Sequence, residues 1–581
     1  MRDRVIGFAG QLLLAVAPPV SLELAVRSLG PVPFAPAWPD LGLWLPPYVL
    51  PALLGLLVAR LSRRLSRLLL SAPFGLLFAN LGYAFGAKTR ITLALVCAAG
   101  AVVGLFVIRP GNRRGMTAVT ALSLIVAGGA ACHGRATAAR GGPPSVLFVV
   151  FDTTAVGHLS AYGYARPTTP NLAALAGQSL VYNRAVAGAS WTTPSHGAMF
   201  TGSHLSEMGF NGWDFDRPAE GGTIAADLAA TGRATAAISA NPFVPQDEVL
   251  RTGFDSSWDV LRLIEPYSLR VVDHLRGRWG YRGPGMRVTT LALDWVDRLS
   301  PRRRPWFLFV NFMDPHAPYT PPRRERLAFA PNVDPNRVAD DPRLYNSGRL
   351  PFTPEARAAV RDLYDGEIAA MDRAFGYLVA GLRKRGYDAT NLLLIVTADH
   401  GESLGEHGFI GHLLGMSDDL LHVPLLISGP SVRAGVVDRP VQTVQLRATI
   451  RALLGLEPRS DIAPALPPWG VFPTLLISER PEPRWYWEEL YEMRSDVDLD
   501  AWRGNWVAVE RDGVKVIFDD RGRGATYDLR TDPGEQDPRP LGEGAPLVQA
   551  YQEWLKTALA GRPPGPSGRT QRALKSLGYS R

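Results

Sequence analysis

The chain has 581 residues, a formal net charge of +8 and a mean hydropathy of 0.00. Its length exceeds what one hydrophobic core usually supports, which predicts more than one structural part. The positive charge does not indicate nucleic-acid binding, because no basic motif with interleaved aromatic residues accompanies it. The two cysteines, Cys97 and Cys132, both precede residue 135, which excludes a disulfide framework in the rest of the chain.

The first 133 residues are strongly apolar and predict a transmembrane region of about five helices. Each candidate span approaches the ~20 residues that a helix needs to cross a bilayer. The spans are Val5 to Leu24, Leu41 to Leu61, Leu68 to Gly86, Ile91 to Ile108 and Met116 to Ala131. No small-residue cleavage site follows the first span, so we expect an uncleaved anchor rather than a signal peptide.

The placement of arginine orients these predicted spans. Arginines precede the first span, surround the link between the second and the third, and follow the fourth: Arg2, Arg4, Arg60, Arg63, Arg64, Arg67, Arg109, Arg113 and Arg114. Arginine-rich links stay in the cytoplasm, so these three segments are predicted to be cytoplasmic. Five crossings then place everything after about His133 on the periplasmic or extracellular side, with the lipid bilayer as a partner.

Residues 134–144 are predicted to form a short linker rich in Gly, Ala and Arg. From Ser145 to about residue 460, apolar runs that are typical of strands alternate with helical patterns. Examples of the apolar runs are VLFVVF, ATAAISA, WFLFVNF, NLLLIVTA and VPLLISG. This alternation predicts an α/β domain whose mixed sheet is covered on both faces.

Residues 461–560 follow a proline-rich connection and are predicted to form a small C-terminal α+β subdomain. The run NWVAVERDGVKVIFDD predicts a hairpin through Asp512 and Gly513, and a helix is expected around Leu547 to Leu559. Residues 561–581 are polar and rich in Gly and Pro, which predicts a mobile tail.

Two predicted strands of the α/β domain end at acidic residues. Asp152 follows the run VLFVVF, and Asp399 with His400 follows LLLIVTA before a turn broken by glycine. Ligands in such sheets gather at the carboxyl ends of the strands. The run SWTTPSHGAMFTG adds hydroxyl groups between Thr192 and Ser195. Carboxylates, a histidine and a hydroxyl nucleophile are what metal-assisted ester cleavage requires.

Five motifs together resemble the sulfatase branch of the alkaline phosphatase superfamily. They are VVFDTT, TTPSHGAMFTG, NFMDPHAPY, TADHGESLGEHG and LHVPLLISGP, and they span roughly residues 145–430. The later segment GATYDLRTDPGEQDP resembles the C-terminal subdomain of arylsulfatases. Five membrane spans followed by an outward sulfatase-like domain with a threonine nucleophile also resemble lipoteichoic acid synthases and lipid A phosphoethanolamine transferases. The segment DHGESLGEHGFIGH is especially similar to the transferases, although the disulfide cysteines common in them are missing. The resemblance implies a sulfatase-like mixed sheet and a metalloenzyme that cleaves esters.

The resemblance places Thr192 at the position of the nucleophile. Formylglycine sulfatases have a modified cysteine or serine at the start of a Cys-x-Pro-Ser-Arg signature, where this chain has TTPSH. Threonine cannot be oxidised to an aldehyde, so a formylglycine mechanism would need Ser190 or Ser195. Threonine is the nucleophile in branches that move phosphoryl groups, which implies attack by Thr192 on a phosphate-type ester. Thr192 is also expected to be the N-cap of a helix.

The same resemblance implies a metal site made of Asp152, Asp399 and His400, with Thr192 completing the coordination. Mixed oxygen and imidazole donors favour Zn or Mn, and Ca and Mg are the alternatives. Formylglycine sulfatases more often have asparagine in place of His400 and a second acid in place of Thr153.

Three further histidines and one asparagine are candidate substrate-binding residues. His316 in DPHAPY and His412 in GFIGHLL match positions that contact the anionic oxygens or the leaving group of the ester in relatives. A histidine there can act as an oxyanion donor or a general acid. His407 and Asn241 are expected to bind substrate as well.

We therefore expect a membrane-anchored sulfatase-family metalloenzyme that hydrolyses or transfers a phosphate-type ester, on a lipid head group or a glycan, through a covalent intermediate on Thr192. The alternative within the enzymes is a sulfuric ester hydrolase that acts on a sulfated substrate. The alternative of another class is a catalytically silent membrane protein that retains the fold. The intact set of predicted metal ligands argues against silence.

Overall fold

The computed structural model describes residues 142–209, 222–260, 283–299, 304–333 and 341–560. These residues form one compact unit, except that residues 290–299 belong to a second unit. The predicted membrane spans and the predicted tail lie outside the described residues. Among the residues that are described, none of the helices is both long enough and apolar enough to cross a membrane.

The described strands, in chain order, are β1 (Ser145–Phe151), β2 (Leu180–Val186), β3 (Ala234–Ser239), β4 (Ser256–Asp259), β5 (Trp306–Phe312), β6 (Leu392–Ala398), β7 (Ser403–Leu404), β8 (Ile410–Gly411), β9 (His422–Ser428), β10 (Gly435–Val437), β11 (Val441–Gln442), β12 (Leu476–Arg480), β13 (Trp506–Arg511), β14 (Val514–Asp519), β15 (Gly524–Asp528) and β16 (Arg539–Pro540).

The described α-helices are α1 (Pro170–Ala176), α2 (Thr192–Thr201), α3 (Leu205–Met208), α4 (Ile224–Ala230), α5 (Phe243–Gln246), α6 (Pro284–Leu299), α7 (Arg323–Phe329), α8 (Pro342–Asn346), α9 (Pro354–Arg383), α10 (Asp418–Leu421), α11 (Leu446–Leu453), α12 (Arg484–Met493) and α13 (Ala545–Leu559).

The large sheet has nine strands in the order β10-β2-β9-β6-β1-β5-β3-β4, with β11 also paired to β2. Strand β9 is antiparallel to both of its neighbours, β2 and β6. The other pairs in this sheet are parallel. The predicted α/β domain with a mixed sheet is therefore confirmed.

Helices cover both faces of this sheet around its central strand. Every residue of β1 is buried, although successive side chains of a strand point to opposite faces. Phe148 packs against Phe200 of α2 with 6.3 Å between ring centroids, and Phe151 packs against Phe375 of α9 at 5.4 Å. Because Phe148 and Phe151 are three residues apart, α2 and α9 lie on opposite faces of the sheet.

The register of the central strands aligns their carboxyl ends. Phe151 of β1 pairs with Phe312 of β5 on one side and with Ala398 of β6 on the other. The residues that follow these three strands therefore leave the sheet side by side at one edge, which is where ligands bind in open α/β sheets.

A second sheet is antiparallel and has the order β12-β13-β14-β15-β16. The predicted hairpin through Asp512 and Gly513 is confirmed, since β13 and β14 pair from Arg511↔Val514 outward. Helix α13 packs its apolar side chains against this sheet. The shared core consists of Ile477, Val507, Val509, Val516, Phe518, Leu547, Tyr551 and Leu555.

A largely buried ionic network, which we call the inter-sheet network, joins the two sheets. It contains Arg184 of β2, Asp418 of α10, Glu510 of β13, Lys515 of β14 and Glu535. Arg184 bonds to Asp418 at 2.5 Å and to Glu510 at 2.6 Å. Lys515 bonds to Asp418 at 2.9 Å and to Glu535 at 2.8 Å, and its side chain is only 2% exposed. Buried ions need such partners, because an unpaired charge in the interior is costly.

Candidate functional site

The strand ends bring Asp152, Asp399 and His400 together. Asp152 directly follows β1, and Asp399 and His400 directly follow the adjacent strand β6. One ligand atom from each residue lies within 4.8 Å of the others. All three residues are fully buried. The structure thus assembles the predicted metal ligands from the two central strands.

Two carboxylate oxygens of this cluster, Asp152 Oδ1 and Asp399 Oδ2, are buried without a hydrogen-bond partner. Burial and the nearby charge of Asp152 raise the pKa of Asp399 well above its usual value. Burial lowers the pKa of His400, whose Nε2 lies 3.3 Å from Asp399 Oδ2. Partnerless buried carboxylates beside a neutral imidazole are costly alone but suit a divalent cation. The donor set therefore fits the implied metal ion.

Thr192 is the first residue of α2 and is 4% exposed. Its Oγ1 lies 3.5 Å from His400 Nε2 and accepts a hydrogen bond from Asn241 Nδ2 at 3.3 Å. The expectation that Thr192 is the N-cap is wrong, because Trp191 occupies that position in extended conformation. The Thr192 hydroxyl therefore points into the Asp/Asp/His cluster instead of bonding to the helix backbone.

Asn241 contacts both Asp152 of the metal cluster and Thr192, which goes beyond the predicted substrate-binding role. Its Nδ2 donates to Asp152 Oδ2 at 2.8 Å as well as to Thr192. Its Oδ1 accepts from the backbone N–H of Phe243 at 3.0 Å, which fixes the orientation of the amide. Asn241 thus ties one metal-binding carboxylate to the predicted nucleophile.

Asn311 is a site residue that the sequence analysis missed. It lies in β5, is fully buried, and its Nδ2 is 3.3 Å from Asp152 Oδ2. The available signal was a polar amide inside the otherwise apolar run WFLFVNF. Asp152 Oδ2 consequently faces two amide donors, which leaves Oδ1 for a cation.

His412 and His316 lie beside the metal cluster. The ring centroid of His412 is 4.4 Å from that of His400 and 5.3 Å from that of His316. His316 Nδ1 donates to the carbonyl of Ala317 at 2.6 Å, so its Nε2 is the atom that faces other groups. The structure thus brings both histidines beside the predicted metal ligand His400, and their contact with substrate stays a prediction.

Glu402 holds His412 and was also missed by the sequence analysis. Its Oε1 is 3.0 Å from His412 Nδ1, and its side chain is 1% exposed. The short β7–β8 pair, with Ser403 opposite Gly411, sets Glu402 across from His412. Burial alone would lower the pKa of His412, but the Glu402 carboxylate, with a smaller contribution from Asp152, raises the pKa above its usual value.

His407 does not join the other histidines. Its Nε2 lies 3.6 Å from Asp419 Oδ1 in α10. The adjacent residue of α10, Leu420, accepts a hydrogen bond from the N–H of Gly401 at 2.7 Å. A Cβ on Gly401 would lie 1.9 Å from the Asp419 carbonyl oxygen, so only glycine fits there. The structure thus places His407 in support of the loop after β6 rather than at the predicted substrate-binding position.

The serines that could replace Thr192 as nucleophile occupy other surroundings. Ser195 Oγ donates to the carbonyl oxygen of Asp399 at 2.5 Å. Ser190 Oγ is buried without a hydrogen-bond partner. His196, which stands where the formylglycine signature has arginine, uses Nδ1 to bond the carbonyl of Thr192 at 2.9 Å. Of the alternatives raised from the sequence, Thr192 is the hydroxyl that bonds to Asn241 beside the cluster.

Comparison with known proteins identifies the family. A sulfatase family model matches residues 144–456, more than half of the chain. YidJ, an uncharacterized sulfatase of Escherichia coli K12, is 24% identical over 448 residues, which cover 68% of this chain and 82% of that protein. The choline-sulfatase of Rhizobium meliloti is 28% identical over 195 residues, which cover 31% of this chain and 37% of that protein.

Solved structures share the fold. The phosphonate monoester hydrolase of Agrobacterium radiobacter superposes with a TM-score of 0.54 at 22% identity, covering 72% of this chain and 95% of that chain. The buried Asp/Asp/His group agrees with the metal dependence of sulfatase-family enzymes. The family match over residues 144–456, together with this fold, shows that the protein is a hydrolase of the sulfatase family.

Proposed function

We propose that this hydrolase is anchored in the membrane by its first 133 residues and cleaves or transfers a phosphate-type ester through a covalent intermediate on Thr192. The observation that carries the proposal is the buried Thr192 hydroxyl, which lies beside His400 and bonds to Asn241. The chain has no cysteine after residue 132, so the site has no cysteine from which to form formylglycine.

Asp152, Asp399 and His400 would hold a divalent cation, with Thr192 Oγ1 next to them. When bound, the ion stabilises negative charge on the ester oxygens and lowers the pKa of a coordinated hydroxyl. Two carboxylates and one imidazole favour Zn or Mn over Ca or Mg, which prefer oxygen donors alone.

Thr192 would release its hydroxyl proton to solvent water, and its Oγ1 would attack the phosphorus atom, so that an Oγ–P bond forms while the bond to the leaving-group oxygen breaks. Asn241 Nδ2 restricts the hydroxyl by donating to Oγ1 at 3.3 Å. Thr192 begins the ten-residue helix α2. The N–H groups of a first helical turn point out of the helix and favour an anion, which suits the ester oxygens.

His412 would protonate the leaving group from Nε2, because its Nδ1–H is held by Glu402. The raised pKa of His412 keeps that proton available at higher pH. His316 faces His412 and would contact the anionic ester oxygens. Release of the phosphoryl group from Thr192 by water gives hydrolysis, and release by an acceptor hydroxyl gives transfer.

The proposed location rests on the sequence. Five apolar runs before residue 132 and arginine-rich links support a multi-pass anchor with the catalytic unit outside the cytoplasm. An enzyme held at that surface would meet lipid head groups and glycans. The similarity of DHGESLGEHGFIGH to phosphoethanolamine transferases supports phosphoryl chemistry in that setting.

Sulfate-ester hydrolysis is the second candidate. The names of the curated relatives, which include choline-sulfatase, favour it. The fold does not decide between the two reactions, because proteins named as sulfatases and as phosphonate monoester hydrolases share it. A direct comparison of substrates is therefore required.

The deciding experiment compares wild type, Thr192→Ala, Thr192→Ser and the neighbouring control Thr193→Ala on aryl phosphate monoester, phosphodiester and sulfate substrates. We expect phosphorus esters to be preferred and Thr192→Ala to lose activity by about 10³-fold or more, as removal of a covalent nucleophile does. Thr193→Ala should keep most of the activity.

Mass spectrometry of the quenched enzyme supplies an independent readout. Phosphothreonine at residue 192 supports the proposal. A preference for sulfate, or formylglycine at Ser190 or Ser195, supports the second candidate instead. Full activity of Thr192→Ala on every substrate contradicts a nucleophilic role for Thr192 in either reaction.

A further inference from the structure

The turn after β1 contains a strained residue next to a metal ligand. Thr153 has φ +49 and is fully buried. A β-branched residue rarely adopts this left-handed region, because its Cβ crowds the following carbonyl oxygen, so it does so only where its surroundings impose it. Strain of this kind tends to occur where geometry matters for function.

One hydroxyl group, that of Tyr364 in α9, holds both sides of this turn. Tyr364 Oη donates to the carbonyl oxygen of Thr153 at 2.5 Å and accepts from the N–H of Ala155 at 3.0 Å. Tyr364 is fully buried, and burial raises its pKa well above the usual value, so the phenol retains its proton and can donate. The bridge therefore spans Thr154, and it holds the carbonyl of Thr153, which is the residue under strain.

Helix α9 contacts the same turn at a second point. Thr154 Oγ1 contacts Met371 Sδ at 3.7 Å and donates to the carbonyl of Asp152 at 3.1 Å. Met371 lies seven residues after Tyr364, so the two side chains leave the same face of the helix. The conformation of the turn is thus set by α9, which is more than 200 residues away in the chain.

The strained conformation has a direct consequence for the metal cluster. The N–H of Thr153 donates to Asp399 Oδ1 at 3.3 Å, and the N–H of His400 donates to the same oxygen at 2.9 Å. These bonds fix Asp399 so that its Oδ2 is the oxygen left without a partner, as is Oδ1 of Asp152. Because Tyr364 holds the Thr153 carbonyl, a negative φ would turn the N–H of Thr153 away from Asp399.

We infer that Tyr364 is a positioning residue for the metal site, whose hydroxyl keeps Thr153 in the left-handed conformation and thereby fixes the spacing of the Asp152 and Asp399 carboxylates. The inference rests on the proposed metal site and assigns the control of its geometry to α9. Residues that do not bind the metal but orient its ligands typically contribute about 10- to 100-fold to metal affinity.

The test measures binding of Mn²⁺ to full-length, metal-free protein by the electron paramagnetic resonance signal of the free ion, with no substrate present. Tyr364→Phe keeps the ring but removes both hydrogen bonds, and we expect its Kd to rise about 10- to 100-fold. Tyr162→Phe is the matched control. The Tyr162 hydroxyl likewise accepts from and donates to backbone, at Leu425 N (2.8 Å) and Leu425 O (3.2 Å) of β9. Its removal should leave the Kd unchanged.

A second substitution separates positioning from general stability. Glycine adopts positive φ without the steric cost, so Thr153→Gly in the Tyr364→Phe background should restore the Kd to within a few-fold of wild type. The double variant also tests the positioning role if Tyr364→Phe alone does not fold, because the double variant is then expected to fold and to bind Mn²⁺.

Three results would overturn the inference. Tyr364→Phe that binds Mn²⁺ as tightly as wild type removes the positioning role while leaving the metal site intact. A double variant that binds as weakly as Tyr364→Phe shows that the Thr153 conformation is not what Tyr364 controls. Wild type that binds no Mn²⁺ refutes the metal site itself, and with it the proposed function.

Discussion

Replacing Glu402 by glutamine should shift the pH dependence of turnover through His412. The Glu402 carboxylate bonds to His412 Nδ1 at 3.0 Å and raises the pKa of the imidazole. If protonated His412 delivers the leaving-group proton, kcat falls as the pH rises through that pKa. Glutamine occupies the same space without the charge, so the fall should begin at a lower pH.

The size of this effect follows from the burial of the pair. The Glu402 side chain is 1% exposed, so solvent and salt screen the interaction little. A hydrogen bond to a charged group contributes about 1.5–3 kcal/mol, and about 1.4 kcal/mol is a tenfold change in an equilibrium. At a pH on the falling limb of the wild-type profile, the protonated fraction of His412, and with it kcat, should drop about 10- to 100-fold.

The assay is a kcat profile from pH 5 to 10 on the preferred aryl ester. The matched control is Glu406→Gln in the same loop, since Glu406 faces Arg357 at 3.4 Å and Arg361 at 3.6 Å rather than His412. The control should keep the wild-type alkaline limb. An unmoved limb in Glu402→Gln would refute the assignment of His412 as the acid.

Three further outcomes are expected. A reporter fused after Gly141 should be active only outside the cytoplasm, and activity in the cytoplasm would refute the predicted topology. Elemental analysis of Asp399→Asn should show loss of bound Zn or Mn, while its circular dichroism spectrum stays unchanged. The control Asp362→Asn, at a partly exposed position, should keep the bound metal. Full metal content in Asp399→Asn would disprove the ligand assignment. Burial raises the pKa of Asp314 to about 7, so the folded state favours the protonated acid. The stability that this preference confers is fully present below about pH 4 and is lost as the pH rises through about 7. Between pH 5 and pH 8, the Tm of Asp314→Asn should therefore fall by less than the Tm of wild type. Equal falls in Tm would argue against the raised pKa.

The strand-end residues could be predicted because two local rules meet there. Apolar runs of strand length end at Asp152 and Asp399, and the carboxyl ends of neighbouring parallel strands share one edge of a sheet. Nothing beyond the order of the runs was needed to expect these residues near one another. In the structure, the pairing of Phe151 with Ala398 places the residues that follow them, Asp152 and Asp399, side by side.

Residues whose roles depend on a distant element could not be predicted. Tyr364 acts on a turn 211 residues earlier, and only packing of α9 against the sheet brings the two together. Glu402 and His407 lie in the same loop as His412, but the two-residue strands β7 and β8 decide which of them faces it. A spacing in the sequence does not specify on which side of so short a hairpin a side chain emerges.

The inter-sheet network limits how the C-terminal part of the protein can be exchanged in engineering. Lys515 and Glu535 hold Asp418, the first residue of α10, and the same short helix packs against Gly401 beside His400. A chimaera that grafts the antiparallel sheet of a relative would leave Arg184 and Asp418 with mismatched partners, next to the helix that supports the loop after β6. Exchange of this sheet between family members therefore requires the network residues on both sides to be transplanted as one set.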